Sequence, residues 1–281
     1  MLLLHLLSFA ALLFSTSILA GLLGSLTGLG GGVVLVPVLV LIFKVDIHYA
    51  IGASLVSVIA TSSGAAVAYV KEGLSNVRIG MFLEVATTVG ALVGAWLTTH
   101  VTTHAIAVVF GIVLLYSAIG SFRQAKDHEA PEAADALATK LELAGSFPTP
   151  DGPVAYTARR VPAGFAVMFG AGTLSGLLGI GSGAVKVLAM DQVMKLPFKV
   201  STTTSNFMIG VTAAASAGVY LSRGYIDPTL AMPVMLGVLA GSLIGTHLLM
   251  RMKVSTLKML FATVIVALAG EMIFNGVTGR I

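Results

Sequence analysis

The chain has 281 residues, 57% of them hydrophobic and 10% charged, and a mean hydropathy of +0.99; such a chain cannot hide its apolar surface in one water-soluble core. Its formal net charge of +4 sits mostly in loops, where membrane orientation accounts for it, so a nucleic-acid partner is not indicated. With no cysteine, disulfides, thiolate catalysis and cysteine metal sites are excluded.

In chain order, apolar stretches at 2–23, 50–70, 79–98, 105–122, 162–178, 200–221, 229–250 and 256–275 approach the roughly 20 residues that cross a bilayer as helix. The first, MLLLHLLSFAALLFSTSILAG, has the apolar core of a signal peptide but no basic n-region, and it has a counterpart in the second half. It is read as a retained helix. Segments 33–43 and 184–194 are shorter, and about 10 to 14 apolar residues fit a re-entrant or broken helix.

Each short segment follows a glycine cluster: Gly28, Gly30, Gly31 and Gly32 in the first case, Gly179, Gly181, Ser182 and Gly183 in the second. Backbone leaves helical form inside a bilayer only where protein or a watery cavity satisfies its polar groups, so these clusters predict interruptions lining a cavity. The helix that restarts there presents free N–H groups and the positive end of its dipole, which suits an anion. Lys186, three residues beyond Gly183, is costly at membrane depth and calls for a bound anion or an internal partner such as Asp191 or Glu84. Neither cluster fits G-x-G-x-x-G, and no βα unit surrounds them, so a dinucleotide site is not expected.

After the first short segment, Ser54, Ser57 and Thr61 share one helical face, and after the second Thr202, Ser205 and Thr212 repeat it, with Asn206 adding an amide. Such stripes line pathways or join membrane helices; Ser54, Ser205 and Asn206 are taken as site candidates. Ala86, Gly90 and Gly94, and again Gly237, Gly241 and Gly245, recur every four residues and predict close helix contacts. Glu84 is a candidate for proton coupling or internal pairing, with Asp191 beside it as a second coupling candidate. His100 and His104 are four apart but have no carboxylate near them in sequence, so no metal site is expected. Asp227 and Pro228 read as a turn and helix start.

Shifting the chain by 151 positions superposes the halves without a gap from about residue 22 to 118: Gly28, Gly30 and Gly32 fall on Gly179, Gly181 and Gly183, Ser54 on Ser205 and Thr61 on Thr212. An odd number of crossings per copy would invert the second copy. Two passes for each of 2–43 and 162–194 gather Lys71, Arg78, Arg123, Lys126, Lys140, Arg159, Arg160, Lys195, Lys199, Arg251 and Lys253 on one side, leaving Lys44, Arg223 and Arg280 on the other. The positive-inside rule favours that count over single crossings. The expected fold is therefore an all-α polytopic membrane protein with two inverted-topology repeats of about five helical segments each, the first two of each repeat broken at the glycine motif.

The expected domains are a first transmembrane repeat over 1–122, a cytoplasmic linker over 123–161 and a second repeat over 162–281, with both termini periplasmic. The linker holds six of the twelve acidic residues and is read as solvated: a short helix in PEAADALATKLELAG, then loop through FPTPDGP, whose prolines and glycine break regular structure.

The strings GLGGGVVLVP (28–37), AIGASL (50–55), GLLGIGSGAVKV (176–187) and STTTSNFMIGVTAAASAGVY (201–220), together with the duplication, resemble the sulfite exporter TauE/SafE family of membrane transporters over nearly the whole chain. Two positions depart from the pattern: Ser182 stands where glycine is expected and Leu188 where proline is expected. The resemblance implies transport of small sulfur-containing anions, such as sulfite or organosulfonates, across the bacterial inner membrane. The leading expectation is a secondary exporter, alternating access around a midplane site of both glycine motifs, Lys186, Ser205 and Asn206. An anion channel, an uptake permease for another small organic anion and a non-transporting scaffold stay open, as does homodimerisation. No nucleotide-binding motif and no constellation for an enzyme is present; neither cofactor nor metal is expected, and the partners are a small anion and the lipid bilayer.

Overall fold

A computed structural model describes residues 2–27, 31–71, 75–122, 135–149, 152–249 and 254–280. The first half comprises α1 (Leu2–Thr27), α2 (Gly32–Leu41), α3 (Ile47–Lys71), α4 (Val77–Leu97) and α5 (Thr103–Phe122). A short α6 (Ala136–Lys140) and the strands β1 (Ala144–Thr149) and β2 (Gly152–Thr157) follow. The second half comprises α7 (Val161–Leu178), α8 (Gly183–Leu188) running into a π-helical turn (Ala189–Val193), α9 (Phe198–Ser222), α10 (Pro228–Leu249) and α11 (Val254–Thr278).

Helices α4 and α7 are long and apolar enough to cross a membrane, and shorter apolar stretches of the described residues lie in α1, α2, α3, α5, α10 and α11. Side chains on the outer faces are apolar: Leu12, Leu19, Met81, Val85, Val89, Trp96, Ile112, Leu236, Leu243, Val266 and Phe274 are all exposed. So large an apolar surface is stable against lipid and unstable against water. Helix α2, by contrast, buries Val33 to Val36, Leu39 and Val40, as a helix apolar on every side must.

Helix pairs cross between the halves: α1 packs on α10, α4 on α7, α3 on α9 and α5 on α11. Missing side chains let two of these pairs touch backbone to backbone. At the first, Gly237 faces Phe14 and Ser17 while Gly241 faces Ile18 and Leu22; at the second, Gly172 faces Thr87 and Gly176 faces Ala91 and Ala95. Both sets of neighbours advance in step, so α1 runs parallel to α10 and α4 parallel to α7. The counterpart helices run against each other: Gly111 faces Ala269 and Ile273 while Gly276 faces His104, and Gly52 faces Tyr225 while Gly210 faces Ser62. The expected close contacts at Gly90, Gly94, Gly237 and Gly241 are thus formed, while the side-chain surroundings of residue 245 lie outside the described residues.

Corresponding turns repeat in detail. Lys44 and Lys195, 151 positions apart, both take left-handed backbone with φ of 55° and 58°. Beside them Val45 N donates to Leu39 O at 3.1 Å and Leu196 N to Met190 O at 2.9 Å, again at equivalent positions. Asp227 precedes α10 as expected and its Oδ1 accepts from Thr229 N at 2.8 Å.

One reading of the sequence is corrected. FPTPDGP is not loop: β1 and β2 form an antiparallel hairpin in which Phe147 pairs with Val154 and Pro148 with Pro153, with residues 150–151 outside the described set. Proline lacks a ladder donor but is tolerated in a two-stranded ribbon, where both strands are edges. Nor is the segment wholly solvated, because Ala138, Leu143 and Ala158 are buried with Ile79, Leu83, Met190 and Met194. Arg78 pairs with Glu142, and Arg159 N donates to Met194 O. Burial pushes the Tyr156 phenol up from its ordinary value.

Asn76 joins this end of the bundle together. Its Oδ1 caps α4 by accepting from Ile79 N at 3.0 Å, its Nδ2 donates to Tyr156 Oη at 2.9 Å, and its backbone N donates to Thr204 Oγ1 at 3.0 Å. Loss of the cap costs about 1 kcal/mol. Asn76→Ala is expected to lower unfolding stability in detergent by that order, and Asn76→Asp, which keeps the capping oxygen, to recover most of it.

Candidate functional site

The second glycine motif is where α7 stops. Gly179 N donates to Ser175 O at 2.8 Å, and Gly179, Gly181 and Ser182 take left-handed φ of 68°, 70° and 48°. Glycine adopts that conformation freely, whereas a side chain there costs about 1–2 kcal/mol. Ser182 therefore holds a strained backbone, and its buried Oγ has no hydrogen-bond partner. The chain restarts as helix at Gly183. Two side chains from the expected polar stripes serve the interruption: Ser54 Oγ donates to Gly179 O at 2.8 Å and Ser205 Oγ donates to Gly183 O at 3.2 Å.

Of the first motif, Gly28 and Gly30 lie outside the described residues. Gly31 sits against Val238, whose Cγ1 would be 2.6 Å from an added Cβ. At Gly32 an added Cβ would meet Ser54 Oγ at 2.5 Å and Gly179 O at 3.0 Å. The two motifs, 151 positions apart in sequence, thus meet across α3, with Ser54 between them.

Lys186, one turn into α8, is 0% exposed. Its Nζ donates to Thr212 Oγ1 on α9 at 2.5 Å, and Thr212 Oγ1 lies 2.6 Å from Glu84 Oε1 on α4. A threonine hydroxyl has one proton to give and accepts through its lone pairs, so it relays the charge: ammonium into Thr212, Thr212 into carboxylate. Thr88 Oγ1 also donates to Glu84 Oε1, at 3.2 Å, while Glu84 Oε2 is buried without a partner. Neither charge reaches water, and each would be costly alone.

Of the candidates, Gly32, Ser54 and Gly179 form one cluster, and Gly183 with Ser205 continues it toward Lys186. Gly181 packs against Ile209 and Val58. Asn206 is half-buried on α9. Asp191 lies buried on the π-helical turn. The sequence offered Glu84 as one internal partner for Lys186 but missed the threonine that joins them. Thr212 stood in the polar stripe, but its partner lies 128 positions away and no local spacing signals it.

The model of the family described as sulfite exporter TauE/SafE matches residues 13–272. The chain is 27% identical over 268 residues to "Probable membrane transporter protein YunE" of Bacillus subtilis (strain 168), covering 92% of this chain and 96% of that protein. It is 28% identical over 228 residues to "Probable membrane transporter protein YdhB" of the same strain, covering 81% and 85%. A "Probable membrane transporter protein" of Xylella fastidiosa (strain 9a5c) is 25% identical over 258 residues, covering 89% and 90%. No solved structure matches the chain.

Proposed function

The chain belongs to the sulfite exporter TauE/SafE family, and from that premise we propose that it is a secondary transporter exporting small sulfur-containing anions, such as sulfite or organosulfonates, across the bacterial inner membrane. Membership makes it a membrane transporter rather than an enzyme. The observation that carries the substrate class is Lys186: a fully buried ammonium on the helix that restarts after the second glycine motif. The unpartnered Ser182 Oγ, 2% exposed, adds a donor for a substrate oxygen.

Alternating access follows from an inverted repeat. Support for one comes from helix directions, since α3 opposes its counterpart α9 and α5 opposes α11, while the α1–α10 contact is repeated by α7–α4. A two-fold axis lying in the membrane plane relates helices in this way, and binding sites of such transporters lie at the repeat interface. The proposed units are repeats over 1–122 and 162–281 joined by a linker over 123–161. Charge favours one orientation. Arg78, Arg159 and Lys195 belong to the end built by the linker, while Lys44 and Arg223 belong to the other, where Arg223 Nη1 donates to Ala95 O at 2.8 Å. The positive-inside rule then puts the linker in the cytoplasm and both termini in the periplasm.

Proteoliposomes loaded with sulfite, methanesulfonate or other aliphatic sulfonates test the reading. Saturable uptake of the labelled anion with counterflow is the expected result. Flux that rises without saturation would identify a channel, and uptake equal to that of empty liposomes would dismiss these substrates.

A further inference from the structure

We propose that Glu84 is an internal counter-ion that the transported anion displaces from Lys186, and that each displacement takes up one proton. The inference rests on the anion site proposed above and adds to it a coupling device. In this structure the site is internally neutral: Lys186 donates to Thr212, Thr212 to Glu84 Oε1, and both charges are buried. An anion arriving at Lys186 puts two negative charges beside one positive charge, away from water. Like charges that close in a dry site do not both persist. The relief nearest to hand is a proton on Glu84, and the carboxylate has a place for it: Oε1 already accepts from Thr212 and Thr88, while Oε2 is buried and without a partner. The proton comes from water on the side from which the anion enters, and leaves with the anion on the other side.

Other charges do not substitute for this pair. The titratable groups on the elements packed around Glu84 are Lys186 on α8, Asp191 on the π-helical turn, and Lys199 and Tyr220 near opposite ends of α9; α7 carries none. Tyr220 is engaged elsewhere, donating to Gly176 O at 3.1 Å. The pseudo-symmetric counterpart of the network carries no charge. Positions 151 residues from Glu84, Thr212 and Lys186 are Met235, Thr61 and Leu35. Among the described residues Thr61 bonds to its own helix, donating toward Ser57 O at 3.1 Å and Val58 O at 3.2 Å. Packing alone would be served equally by either version, so one charged copy marks one coupling site for the whole transporter.

Charge balance sets the driving force. The empty site holds an ammonium and a carboxylate; the loaded site holds an ammonium, an anion and a neutral carboxyl. Both are neutral, so neither reorientation of the site moves charge, and a potential that is worth about 2.3 kcal/mol per charge per 100 mV acts on neither. The cycle is electroneutral proton–anion symport, its direction set by the anion and pH gradients together.

The test uses the full chain in proteoliposomes and methanesulfonate, an anion whose charge does not vary with pH. Counterflow is measured first, then the half-saturating concentration as a function of pH, then accumulation driven by an acid exterior or by a potassium diffusion potential. The expected results are accumulation with the pH gradient and none with the potential, and a half-saturating concentration that rises by up to about tenfold per pH unit on the alkaline side, as one linked proton requires. Glu84→Gln is expected to keep counterflow with a half-saturating concentration several-fold lower and insensitive to pH. Thr212→Ser, which keeps the relay hydroxyl, should retain the wild-type pH response, and Thr212→Val should blunt it. Wild-type counterflow with a flat pH profile, accumulation driven by potential, or a wild-type pH response in Glu84→Gln would overturn the coupling alone. Absence of wild-type counterflow would overturn the anion site and the coupling together.

Discussion

Lys186→Met abolishes saturable anion uptake and lowers the stability of the protein in detergent by about 3–5 kcal/mol. Two separate effects combine in that result. Uptake is lost because the variant has no cation on the helix that restarts after the second glycine motif. Stability is lost because Glu84 is left as a buried carboxylate whose compensation ran through Thr212, and removing one member of a buried ion pair typically costs that much. The two effects come apart in a double variant. Lys186→Met with Glu84→Gln replaces the pair by neutral groups of similar size, so unfolding midpoints should return close to wild type while uptake stays at the level of empty liposomes. Uptake surviving in either variant would remove Lys186 from the site.

Gly176→Ala is expected to be more damaging than its single carbon suggests. An added Cβ on α7 would meet Ala91 O of α4 and lie 2.8 Å from Ala95 N, so the two backbones would have to separate. Overpacking of this kind costs about 1–3 kcal/mol, and more where the obstacle is backbone that cannot yield by a rotamer change. The control lies on the same helix. Gly170 has nothing within 4 Å of an added Cβ, and alanine is favoured over glycine in a helix by about 1 kcal/mol. Thermal unfolding of the two variants side by side should therefore move in opposite directions; equal shifts would refute the close approach of α4 and α7.

The helical character of the fold was legible because hydropathy is a property of position along the chain. The apolar stretch 162–178 is α7 to within one residue, and 200–221 lies inside α9. The conformational demand of the second glycine motif is local, as Gly179 and Gly181 show with their positive φ. What could not be read was anything made by chain segments far apart. The relay through Thr212 joins residues 128 positions apart. The hairpin was misjudged for a different reason: Pro148 and Pro153 are poor in an interior strand, and nothing local reveals that they face each other in a ribbon with no interior. Lys186 was singled out by cost alone, and that argument could not choose among an anion, Asp191 and Glu84.

The pairing of α1 with α10 has a bearing on synthesis. Helix α1 is synthesised well before α10, against which it lies, and the face it buries there includes Gly21, where an added Cβ would strike the backbone of Val238. Helix α1 must therefore wait for α10 before the backbone that covers its Gly21 face is present. The two halves consequently mature as one object, and a truncated product ending before α10 would be left with an open seam for quality-control proteases to recognise.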